Sequence, residues 1–185
     1  MSVVMAYIKD GVIYYGCDTR TNYGNDYEEI KYKEGFKLKR YKDIIVGHVG
    51  TPPLDIKCFN LMKKFNGDDL RGYLIKEVYP KLLEEADKCG TLEQSSGKTF
   101  FGSCFFISKG DKLYLLDSDG VMRITKFVAI GSGFRYVYPF LYNMDEDNIN
   151  KTLLEAMRTC ASTHGKVGGP FQFIDTKNFR MKTEE

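Results

Sequence analysis

Hydrophobic positions recur along this chain with two different periods, and the switches between them divide it into elements. Val3 to Ile8 and Val12 to Cys17 are β-rich runs, and Lys9-Asp10-Gly11 between them is a hairpin turn signal. Residues 19 to 28 are polar and read as a loop. Ile30 and Tyr32 then alternate with Glu29, Lys31 and Lys33, and Phe36 and Leu38 with Lys37 and Lys39. That period of two predicts half-buried strands. Residues 43 to 50, DIIVGHVG, are more continuously apolar, which predicts a strand covered on both faces. Helical spacing takes over after Thr51-Pro52-Pro53, where Leu54, Cys58, Leu61, Met62 and Phe65 form one stripe. Thr51 is the expected N-cap, with Pro52 in the first turn. Residues 66 to 69, NGDD, break the chain, and Leu70, Leu74 and Val78 share a face of a second helix that Pro80 should kink or divide.

The second half repeats this order. Residues 89 to 98 read as a loop; residues 99 to 108 and 112 to 117 read as strands joined by Lys109-Gly110-Asp111. Asp119-Gly120 marks a turn before a strand expected over 121 to 130. A third helix is expected from Gly131-Ser132-Gly133, with Pro139 as an irregularity, and Ile149, Leu153, Ala156, Met157 and Cys160 mark a fourth. Residues 171 to 175, FQFID, are the last strong strand. No repeat, low-complexity tract or linker interrupts the 185 residues, so a single domain over 1 to 185 is expected. Strands, two helices, strands, two helices and a strand predict an α+β fold: two sheets packed together, with helix pairs outside.

Composition narrows the function classes. The 27 basic and 25 acidic residues leave a formal net charge of +2, less basic than a general nucleic-acid binder. Residues 31 to 42, KYKEGFKLKRYK, interleave basic and aromatic residues, a pattern that nucleic-acid modules also use. The preferred reading is a solvated or edge strand whose lysines discourage aggregation. No apolar run approaches a membrane span, and the start lacks the pattern of a signal peptide, so a cytoplasmic protein that binds neither nucleic acid nor membrane is expected. Five scattered cysteines without a CxxC, and only two histidines, argue against a zinc site. The cysteines read as mostly buried thiols, and no cofactor is expected.

Five segments in order carry a resemblance. KDGVIYYGCDTR (9 to 20) is a strand ending in an acidic residue, a small polar residue and Arg; IIVGHVG (44 to 50) carries a Gly-x-x-Gly; KLYLLDSDG (112 to 120) is an apolar strand followed by Asp and Gly. FVAIGSG (127 to 133) runs a strand into Gly-Ser-Gly, and GKVGGPFQFI (165 to 174) places Gly-Gly before a late strand. Together they resemble the proteasome β-subunit and HslV peptidase family of N-terminal-nucleophile hydrolases, above all its small bacterial and phage members, over roughly residues 2 to 175. The resemblance implies a four-layer αββα sandwich of two antiparallel sheets flanked by helix pairs. It also implies cleavage of peptide bonds by the first residue of the mature chain, whose hydroxyl attacks while its own α-amine takes the proton.

In this sequence the resemblance makes Ser2 the nucleophile, exposed once Met1 is removed, as small second residues normally permit. Serine keeps the hydroxyl of the usual threonine but lacks the methyl that fixes its rotamer. Asp18 would orient a lysine that lowers the amine pKa and steadies the alkoxide. Lys37 is preferred for its local pattern, and Lys33 fits the interval from Asp18 about as well. A backbone N–H at Gly47 would hold the oxyanion, and Ser132 would support the amine or cap a helix. The sequence departs from the family pattern before Gly168: His164 and Val167 stand where proteasome subunits have an Asp and a Ser. His164 would then substitute by hydrogen bonding or be a loop residue. The alternative function is a catalytically silent structural or assembly subunit retaining Met1, whose Ser2 nitrogen would be an amide. Implied partners are a peptide or protein substrate, copies of the same chain in a ring or stacked rings, and an ATPase that feeds substrate.

Overall fold

The opening hairpin joins β1 (Val4–Lys9) to β2 (Val12–Asp18) through Asp10 and Gly11, whose φ angles are 49° and 75°. Two consecutive positive φ values match the twist of the flanking strands, which is why Asp-Gly favours this turn. The computed structural model describes residues 2–20, 37–95, 98–165 and 167–185. The strand expected over residues 30 to 36 lies outside the described residues. β3 begins at Leu38 and runs to Tyr41, followed by β4 (Ile44–Val49), α1 (Pro52–Met62) and α2 (Leu70–Tyr73). A π-helical turn, Leu74–Val78, leads into α3 (Tyr79–Lys88), which carries Pro80 in its first turn. The helix is therefore divided, because proline lacks the N–H that would have continued the ladder.

β5 (Glu93–Ser95) and β6 (Lys98–Phe100) form a small hairpin where a plain loop was expected. The strand expected over 99 to 108 is broken: Gly102 has φ 58°, and pairing with the main sheet resumes only at β7 (Cys104–Lys109). β8 (Lys112–Asp117) follows. The single strand expected over 121 to 130 is two, β9 (Gly120–Ile124) and β10 (Phe127–Ile130), which belong to different sheets. The remaining elements are α4 (Phe134–Tyr142), interrupted by Pro139, then α5 (Ile149–Thr163), β11 (Phe171–Asp175) and an unforeseen short edge strand, β12 (Lys182–Glu184).

One sheet has the order β10-β1-β2-β11-β12 and the other β3-β4-β7-β8-β9, with antiparallel pairing throughout both. Strand alternation divides the core. In β1, Met5 and Tyr7 pack with α4 and α5, whereas Val4 and Ala6 pack between the sheets against Ile45 and Phe106. In β4, Ile44 and Val46 pack instead with Leu54, Cys58 and Leu82 of the other helical layer. Three apolar layers thus hold four structural layers, the expected αββα sandwich. Each fully buried large apolar side chain contributes about 1.5–3 kcal/mol. Among the described residues, no helix is long and apolar enough to cross a membrane.

Register positions the site. Val4 lies opposite Cys17 in β2 and Ile130 in β10, and Phe171 of β11 lies opposite Asp18. The start of β1, the end of β2, the turn after β10 and the segment before β11 therefore meet at one end of the first sheet.

Candidate active site

Asp18 closes β2 and is fully buried. Its Oδ1 accepts a hydrogen bond from the Val3 backbone N–H at 2.8 Å and another from Lys37 Nζ at 2.6 Å. Lys37 is only 7% exposed, and its ammonium also donates to the Arg20 carbonyl at 2.6 Å. Burial pushes the Asp18 carboxyl up from its ordinary value; the Lys37 charge and the hydrogen bonds to it act in the opposite direction. The pair ties the loop side of β3 to the first residues of the chain. Lys33, the other candidate, lies outside the described residues.

Ser2 is half-buried immediately before β1, and its carbonyl is held by the turn that follows β10. The Gly133 N–H donates to it at 3.3 Å. A Cβ on Gly131 would lie 2.2 Å from the same oxygen, and Gly131 has φ 92°, so this position needs glycine for space and for conformation. Ser132, between the two glycines, is exposed, and its Oγ lies 3.0 Å from His164 Nε2. His164 caps the C-terminus of α5 and stacks on Tyr136, with ring centroids 5.5 Å apart. Gly168 packs against Arg20: a Cβ there would meet the guanidinium carbon at 2.7 Å, and Arg20 Nη1 donates to the Gly165 carbonyl at 2.9 Å. Thr19 N–H donates to the Gly168 carbonyl at 3.3 Å.

Gly47 stands in β4 opposite Leu38 and Phe106, where a Cβ would lie 3.0 Å from Val4 Cγ1 across the sheet interface. The His48 N–H donates to the Lys37 carbonyl at 2.8 Å. Alternation along the strand therefore turns the Gly47 N–H the other way, toward β7. The expected oxyanion donor points into the ladder, a correction to the sequence reading. Ser2, Asp18, Lys37, Ser132, His164 and Gly168 converge at the sheet end, while Gly47 serves the packing beneath it.

Sequence reasoning missed a second polar cluster beside the first. Lys39 Nζ bonds Asp55 Oδ2, and His48 Nδ1 lies 3.8 Å from Asp55 Oδ1. The His48 ring stacks on Phe105 at 4.8 Å. Burial, with added repulsion from Lys39 and Lys37, pushes the His48 imidazole down to about 3. The available signal was a histidine inside an apolar strand followed by an acid in the next helix's first turn. Arg20 and Tyr136 were also missed as site neighbours; Arg20 was visible in the DTR of the opening motif. Among the described residues, no group of three or more His, Cys, Asp or Glu is placed to hold a metal ion.

No protein-family model matches the sequence, and no curated protein matches it. Solved structures do match. BPH from Thiobacillus denitrificans superimposes with a TM-score of 0.76 at 19% identity, covering 94% of this chain and 96% of that one. Anbu from Yersinia bercovieri gives 0.70 at 13% identity, covering 98% and 86%. HslV from Trypanosoma brucei gives 0.64 at 14% identity, covering 94% and 98%. At such identities the likeness concerns architecture, and the fold of this chain is that of the proteasome-like N-terminal-nucleophile hydrolases.

Proposed function

We propose that this protein hydrolyses peptide (amide) bonds, with Ser2 as the nucleophile once Met1 is removed. The observation that carries the reading is the buried Asp18–Lys37 pair, bonded through the Val3 N–H to the residue next to Ser2. A serine hydroxyl alone is a weak nucleophile and needs a base. A free α-amine, with a usual pKa of about 7.7–8.0, is partly neutral near physiological pH and suits that work. The Lys37 ammonium favours the neutral amine by charge repulsion and stabilises the oxygen as its proton leaves.

In the first step Ser2 Oγ attacks the substrate carbonyl carbon and its proton passes to the Ser2 amine. Backbone N–H groups where β4 ends receive the oxyanion. Collapse expels the leaving amine, which takes the proton, and leaves an ester on Ser2. Water, deprotonated by the same amine, then attacks the ester; the acyl–Oγ bond breaks, the acid leaves, and the amine returns the proton to Ser2 Oγ. Asp18 and Lys37 hold the charge balance, Ser132 supports the amine, and Gly168 secures Arg20, whose carbonyl anchors Lys37.

One solved relative in fold is BPH from Thiobacillus denitrificans in complex with epoxomicin, and another is a helical assembly of the Anbu complex from Pseudomonas aeruginosa. For this chain we infer a peptide or protein substrate and self-association. Phe134, Tyr136 and Tyr142 are 37%, 41% and 70% exposed on α4, a supply of aromatic surface that interfaces use.

Intact-mass measurement of the purified protein, before and after treatment with a peptide epoxyketone, tests the reading. A mass lacking Met1, with probe attached to Ser2, is expected. A protein that retains Met1 and takes no probe is a silent subunit of the same fold, and the hydrolase reading fails.

A further inference from the structure

Strand β10 ends at Ile130 and α4 begins at Phe134, with Gly131-Ser132-Gly133 as the turn between them. Gly131 takes the positive φ of 92°, so the serine itself is spared a left-handed backbone. Glycine on both sides leaves Ser132 without a flanking side chain, and it is exposed. Its Oγ lies 3.0 Å from His164 Nε2, within the reach at which a base takes a hydroxyl proton. The imidazole comes from the end of another helix and is held there. The His164 N–H donates to the Cys160 carbonyl at 2.8 Å, its carbonyl accepts from the Val167 N–H at 2.9 Å, and its ring stacks on Tyr136 at an interplanar angle of 29°. A hydroxyl in contact with a fixed imidazole is the pairing that makes a serine nucleophilic.

We propose that Ser132 and His164 form a second nucleophilic site, a serine–histidine dyad that hydrolyses carboxylic esters with apolar or aromatic acyl groups. The dyad uses a side-chain base instead of an α-amine, so it works with Met1 present or removed and does not rest on the reading of Ser2. Phe134 and Tyr136, 37% and 41% exposed in the first turn of α4, supply apolar surface for the acyl group.

In the first step Nε2 takes the Ser132 proton, and the freed Oγ lone pair forms a bond to the ester carbonyl carbon. The carbonyl π electrons move to its oxygen, near the positively polarised N-terminus of α4. As they return, the bond from that carbon to the alcohol oxygen breaks. The imidazolium gives the departing oxygen its proton, leaving an acyl ester on Ser132. Water then yields a proton to Nε2 and attacks the acyl carbon; the acyl–Oγ bond breaks, the acid leaves, and the proton returns to Ser132 Oγ.

A fluorophosphonate probe, which loses fluoride as the Oγ–phosphorus bond forms, reads out the nucleophile, and peptide mapping by mass spectrometry locates it. The S2A variant separates the dyad from Ser2. Label on Ser132 is expected in wild type and S2A alike. In S2A/H164Q the glutamine keeps a hydrogen-bonding partner for the hydroxyl but cannot carry the proton. Labelling of Ser132 there should slow by about 100-fold, the lower end of what a positioned base contributes. The same labelling of S2A in concentrated urea gives the rate of an unassisted serine without relying on the fold of any histidine variant, and native S2A should be faster by a similar factor. Hydrolysis of p-nitrophenyl hexanoate by S2A should fall to the uncatalysed rate in S2A/S132A. Ser132 labelled no faster in native S2A than in urea, or at one rate in S2A and S2A/H164Q, overturns the dyad, as does ester turnover that survives S132A. A Ser2 that takes no epoxyketone bears on the hydrolase reading alone, and the loss of Ser132 labelling on the dyad alone.

Discussion

At the scale of single residues, two buried charge systems sit side by side and behave differently. Asp18 and Lys37 have each other, so truncating either would leave an uncompensated charge in the interior. His48 is placed differently: buried near Lys37 and Lys39, it has Asp55 Oδ1 3.8 Å from its Nδ1, and its Nε2 has no partner among the described residues. Its effect on stability follows from linkage. The unfolded chain binds a proton at His48 near pH 6.5, whereas the folded chain resists doing so until about pH 3. Between those values the unfolded state holds more protons, so folding stability falls as pH falls, by up to about 1.4 kcal/mol per pH unit. Urea unfolding from pH 7 to pH 4 should show this slope, and H48Q should flatten it. An identical pH dependence in the variant would reject the assignment.

At the scale of elements, the helix starts show that the right residue at the right place does not always do the expected job. Thr51 occupies the N-cap of α1 but makes no capping bond, and its buried Oγ1 has no partner among the described residues. Asp69 caps α2, accepting from Gly72 N–H at 2.8 Å. D69A should therefore lower stability by about 1 kcal/mol, while T51A should be close to neutral, because it removes a hydroxyl that folding leaves unsatisfied. Thermal unfolding of the two variants separates them, and equal losses would contradict this account. The same contrast explains what was legible in the sequence. The Asp10-Gly11 hairpin and the division of the helix near Pro80 arise from local stereochemistry, so the residues announce them, though not that the division takes the form of a π-turn. The passage from β9 to β10 is tertiary: VMRI and FVAI read as one strand because nothing local says that they pair with different sheets.

At the scale of the molecule, the two sheets approach closely enough that a side chain at Gly47 would press on its neighbours. A Cβ there would lie 3.0 Å from Val4 Cγ1 and 3.3 Å from Leu38 Cδ2. G47A should cost about 1–3 kcal/mol through overpacking, visible as a lower urea midpoint with unchanged m-value. An unaltered midpoint would mean that the sheets separate freely. Of the candidate residues drawn from the family resemblance, Asp18, Lys37, Ser132 and His164 lie near one another at one sheet end, a placement that their order along the chain made legible. The direction of the Gly47 N–H was not, because it depends on which of two adjacent residues bonds to β3. The Lys39–Asp55–His48 cluster was hidden for a related reason: a period-two pattern records which face a residue takes, not which charge it meets there.

The clasp on Ser2 has a consequence for how the protein is born. Ser2 is synthesised long before its clasp is complete: the glycines that hold its carbonyl are residues 131 and 133, and the imidazole beside Ser132 is residue 164. A nascent chain that ends before β10 lacks the turn that holds this carbonyl. Assembly of this corner thus waits on translation through residue 164, and a product terminated earlier carries Ser2 without the turn and helix end that surround it.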